Sequence, residues 1–102
     1  MGIISDEIMR ADIFEKALRT RATTLYRALF ERRAALNKQK TQLLKSDFRY
    51  KATQAYTDTI NVVKDNIKFL TNHINKVDTM LKKNNIDADM LEKIEIDYNK
   101  QQ

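Results

Sequence analysis

Between residues 56 and 81 the apolar positions fall at Tyr56, Ile60, Val63, Ile67, Leu70, Ile74, Val77 and Leu81. The steps alternate four and three without a miss, the mean period of 3.5 by which a helix keeps one narrow seam against another helix. Thr, Lys, Asp and Asn fill most of the intervening positions. Upstream, a second seam runs at steps of seven through Ala22, Leu29, Leu36, Leu43 and Tyr50. Its companion positions are apolar at Ala11, Leu18 and Leu25 and polar at Arg32, Gln39 and Ser46, so the stripe is wide at its start and narrow beyond Leu29. Phe14, Ala28 and Ala35 widen one flank. The pattern predicts a long helix over about 5–45, packed along its length on residues 56–81. Ser5 is its expected N-cap, with Asp6 and Glu7 in a first turn where the helix dipole favours negative charge.

No Gly or Pro separates the two seams, so two architectures compete. One is a continuous rod of about 80 residues, roughly 120 Å long at 1.5 Å per residue. The other is an antiparallel hairpin of two arms of about 40 residues, each roughly 60 Å. Phase favours the hairpin. The first seam projects from Tyr50 onto Thr57, whereas the second sits on Tyr56, a slip of one residue that a turn would leave. The expected turn is Lys45-Ser46-Asp47-Phe48, with Ser46 or Asp47 capping an arm over about 49–84. Asn84-Asn85 suits a left-handed helix end, and Lys82 and Lys83 suit the negative end of the dipole. Asp87 then reads as the N-cap of a short third helix over about 87–98, with Met90, Leu91 and Ile94 on one face. Ile94-Glu95-Ile96-Asp97-Tyr98 also alternates like a strand, and the last residues read as frayed. The fold class is therefore all-α: one domain, a long coiled-coil-like hairpin with a short C-terminal helix.

Composition sharpens this picture. A single Gly, at position 2, and no Pro leave a β-rich domain without the turn residues it needs. The absence of Cys removes disulfides, thiolate metal sites and a Cys nucleophile. No apolar run approaches the roughly 20 residues of a membrane-spanning helix. The opening Met-Gly-Ile-Ile-Ser-Asp lacks a basic leader and misses the myristoylation pattern at Asp6, so a cytoplasmic or virion-associated location is expected. Lys-, Asn- and Ile-rich usage points to an A+T-rich coding genome, bacterial or phage.

Little in the chain carries catalytic chemistry. His73 is the only His, and its helical neighbours Phe69, Leu70, Lys76 and Val77 are not metal ligands, so it reads as a surface or interface residue. Asp87 and Asp89 resemble half of a calcium loop, without the Gly and terminal Glu such a loop requires. No cofactor, metal or small-molecule substrate is expected, and the chain reads as a non-enzyme.

Charge is the one feature that hints at a partner. Residues 1–51 hold twelve Lys/Arg and six Asp/Glu, a net of +6, while residues 52–102 hold seven and eight, a net of −1. Arg19, Tyr26, Arg33 and Lys40 lie at steps of seven, with Arg27 and Arg32 beside them and Lys16 and Lys38 further round. An arginine-rich face with an interleaved Tyr suits phosphate contacts and base stacking. The competing interpretation is that long helices solvate themselves with basic side chains.

A two-helix hairpin encloses little core, so a partner or oligomer is expected. Ile60, Ile67, Ile74 and Leu81 at the first heptad position, with β-branched Val63 and Val77 among the fourth, depart from the simple parallel-dimer pattern. Val62 and Phe69, seven apart and off the main seam, form a candidate second packing surface, with Asn66, His73 and Met80 beside it. The expected function is an oligomeric helical interaction or scaffold protein that self-associates through Tyr56–Leu81 and presents the Arg-rich arm outward, a component or accessory of a larger assembly such as a phage or viral one. A nucleic-acid-binding accessory protein using Arg19, Tyr26, Arg27, Arg32, Arg33 and Lys40 is the alternative. A regulator docking this basic face on an acidic protein is a third.

Overall fold

A computed structural model describes the backbone of residues 2–101 and the side chains of residues 9–101. Four helices follow in order: α1 (Gly2–Leu44), α2 (Phe48–Lys51), α3 (Gln54–Lys83) and α4 (Ala88–Gln101). α1 packs on α3, so the chain is a helical hairpin with a short C-terminal helix and not a continuous rod. The strand alternative for residues 94–98 is replaced by helix.

α1 is already helical at Gly2, so Ser5 lies inside the helix instead of capping it, and Asp6 and Glu7 fall beyond the first turn. Their side chains lie outside those described. At the other end the helix closes by tightening: the Lys45 N–H is shared between the Thr41 and Gln42 carbonyls at 3.3 and 3.2 Å, and the Ser46 N–H reaches Leu43 at 3.1 Å. Asp47 is extended (φ −54°, ψ 143°) and its Oδ1 accepts the Arg49 N–H at 2.8 Å. It caps only α2, a single turn. The return helix restarts at Gln54, where the Thr53 hydroxyl accepts the Tyr56 N–H at 3.2 Å. The second arm thus begins about five residues later than the sequence pattern places it. Tyr50, the expected last member of the first seam, belongs to α2 and packs edge-to-face on Tyr56 with centroids 5.6 Å apart. This route explains how the chain reverses without Gly: among the described non-Gly residues only Asn84 has a positive φ, 54°.

Two compact units divide the fold. Met1–Arg27 with Val77–Gln102 forms one, and Ala28–Lys76 forms the other. In the first, Ala22, Leu25, Val77, Met80, Leu91 and Ile94 are buried. α4 therefore docks on its own chain. Asp87 caps it, its Oδ1 accepting the Asp89 and Met90 N–H groups at 3.0 and 3.1 Å. Met90 does not share the buried face with Leu91 and Ile94 but is 42% exposed, and the helix continues through Asn99 to Gln101 where fraying was expected. In the second unit the core is Leu29, Leu36, Ile60, Val63, Leu70 and Ile74, one layer between two helices.

Candidate functional site

The seam of α3 faces inward. Ile60, Val63, Leu70, Ile74 and Val77 are buried, and Tyr56, Ile67 and Leu81 are half-buried. The hairpin itself covers these residues, so they serve the packing of α1 on α3. The second track behaves differently along its length. His73 and Met80 are buried, Phe69 is half-buried with the His73 ring edge-on at 4.3 Å, and Val62 is 58% exposed. His73, expected at a surface or interface, is a buried residue of this chain.

The basic stripe does not face solvent as one array. Arg19, Tyr26, Arg33 and Lys40 each lie three residues before a seam residue (Ala22, Leu29, Leu36, Leu43), which puts them on the flank of the buried face. Tyr26, Arg33 and Lys40 are accordingly half-buried. Arg19 donates to Asn84 Oδ1. Arg33 donates to the Thr71 hydroxyl at 3.4 Å and holds its guanidinium 5.4 Å from the Phe30 ring centroid. Two members of the stripe are thus ties within the hairpin. Arg27 and Arg32 are exposed. Arg19, Tyr26 and Arg27 belong to one unit, and Arg32, Arg33 and Lys40 to the other.

Charge divides by unit. Ala28–Lys76 carries ten Lys/Arg against four Asp/Glu, a net of +6, whereas the other unit carries nine against ten, a net of −1. In the latter three of the described cations form ion pairs, Lys16 with Asp12 among them. Arg21 donates two hydrogen bonds to Glu95, at 2.7 and 2.6 Å, and Lys82 meets Asp78 at 3.0 Å. Hydrogen bonding to Glu95, then its charge, raises the Arg21 pKa above its ordinary value, and Asp78 does the same for Lys82.

A cleft of about 620 Å³ lies in the −1 unit, lined by Asp12, Glu15, Lys16, Leu18, Arg19 and the Asn84–Ile86 corner. It is open and polar, and the Lys16–Asp12 pair at 3.3 Å and the Arg19–Asn84 bond engage part of its wall. No group of three or more potential metal ligands occurs among the described residues. No described helix is long and apolar enough to cross a membrane.

Two surface features lie outside the expected site residues. Met9, Ile13 and Phe14 are 60%, 63% and 60% exposed on one stretch of α1. Phe14, expected to widen one flank of the first seam, is thus not packed there, because residues 9–17 are all exposed and the covered part of α1 starts at Leu18. Phe48 in the hairpin connection is 76% exposed beside exposed Lys45, Arg49 and Lys51. Its signal was the Phe48-Arg49-Tyr50 run, two aromatic residues around a cation. Comparison with protein-family models, curated proteins and solved structures finds no match to this chain.

Proposed function

We infer that this chain is a non-enzymatic helical interaction protein that self-associates as part of a larger assembly. The observation that carries this reading is the Met9, Ile13 and Phe14 cluster: three large apolar side chains exposed within six residues of one helix. Single exposed apolar residues are ordinary, but three within six positions of one helix point to a contact surface. A hairpin with a one-layer core also gains most from further burial by partners. Light scattering on a sizing column tests it. A stable multiple of 12.0 kDa is expected for the unmodified chain. Ile13→Asp with Phe14→Ser should return it to the monomer mass with helicity intact. A monodisperse monomer for the unmodified chain at micromolar concentration overturns self-association.

A second reading, a nucleic-acid-binding accessory protein, is favoured by the net +6 concentrated in Ala28–Lys76. An absorbance excess at 260 nm that high salt strips from the purified chain supports it, because a chain without Trp contributes little there.

A further inference from the structure

Phe48 is the most exposed large apolar side chain among the described residues. It stands on α2, and the exposed cations Lys45, Arg49 and Lys51 lie within three residues of it. The Arg49 guanidinium sits 6.0 Å from the Phe48 ring centroid. The only acid in this segment, Asp47, directs Oδ1 to the Arg49 N–H and so faces the backbone as a cap. Tyr50 is 37% exposed and is held by the Tyr56 ring.

The segment is held in shape without a core beneath Phe48. The Lys51 N–H bonds to the Asp47 carbonyl at 3.0 Å, Ala52 to Phe48 at 3.1 Å and Thr53 to Tyr50 at 2.9 Å. The backbone that carries its aromatic rings and cations is therefore ordered before any ligand arrives, which removes part of the entropic cost of binding. An apolar protein partner would have to desolvate three cations to reach one ring. A lipid surface calls for an apolar face longer than one helical turn. A planar π-face flanked by cations suits an unpaired base on the ring with phosphates on the side chains around it.

We propose that the hairpin connection, through Phe48 with Lys45, Arg49 and Lys51, is a stacking and phosphate-binding site for single-stranded nucleic acid. The proposal rests on the second functional reading and places its site away from the Arg19–Lys40 stripe.

Fluorescence anisotropy of the full chain with a labelled oligothymidylate tests it. Three phosphate contacts give a log–log salt slope of about −2, so affinity should fall about 20-fold between roughly 50 and 200 mM salt. Phe48→Leu keeps an apolar side chain but removes the π-face, and should weaken binding about tenfold, while Phe48→Trp retains it. Both variants should melt with the unmodified chain, because residue 48 lies outside the core. If the unmodified chain fails to bind at low salt, the site and the second reading are both overturned. If it binds and Phe48→Leu changes nothing, the site is overturned and the reading stands. Equal affinity for a duplex of the same length, or binding to phosphatidylserine vesicles in place of the oligonucleotide, also overturns the site, since neither presents an unpaired base.

Discussion

Asn84 ends α3 in the left-handed region, φ 54°, and its side chain accepts a hydrogen bond from Arg19. Two substitutions separate these roles. Asn84→Ala removes the acceptor and leaves a Cβ in a left-handed conformation that Asn tolerates better than Ala, a cost of about 1 kcal/mol. Asn84→Gly removes the same acceptor but adopts the conformation freely. Urea melts of the pair isolate the backbone term, and Gly should be the more stable. Thr53 is the complementary case at the start of α3: Thr53→Ala should cost about 1 kcal/mol by removing the Tyr56 cap. The first residue was readable in the sequence because few types suit a left-handed corner. The second was not, because Ser46 and Asp47 offered the same capping chemistry several residues earlier. Asp47 does cap, but the helix it starts lasts one turn.

Among the elements, α4 shows how a short amphipathic segment finds its place. Leu91 and Ile94 are 0% and 2% exposed, and Tyr98, four residues on, is half-buried. This three-and-four spacing forms the docking face, and Met90, one position before it, falls outside. The sequence supplied the cap at Asp87 and the apolar triplet; it could not choose between two overlapping faces without the surface they meet. Leu91→Ala should cost about 2–5 kcal/mol. The expected readout is local: hydrogen exchange across residues 88–101 should accelerate far more than across residues 54–76. The Arg21–Glu95 pair adds a polar tether at the rim. Because the Arg21 and Lys82 shifts are both upward, what these pairs add to stability is fully present at neutral pH. The part that these raised shifts carry is lost as pH rises past the ordinary lysine and arginine ranges.

At the scale of the molecule, the charge asymmetry is as large between the folded units as between the halves of the sequence, +6 against −1 in each case. Summing residues 1–51 against 52–102 reveals an asymmetry, but a hairpin gathers both ends of the chain into one unit and its middle into another. The basic excess belongs to that middle. Within it, fourteen Lys, Arg, Asp and Glu side chains carry a net +6, and Asp47 and Asp58 are engaged by the Arg49 N–H and the Gln54 amide. Like charges at this density repel one another and oppose the compact state. Raising ionic strength to about 0.15 M shortens the screening length to about 8 Å and relieves that repulsion. Amide protection in residues 28–76 should therefore rise with salt, while residues 77–101, which belong to the unit of net charge −1, change little. A polyanion should have the same selective effect at much lower concentration, because it brings its charge to the surface that needs it. Equal responses in the two units would show that the partition of charge has no energetic consequence, and would remove the main support for a polyanionic partner.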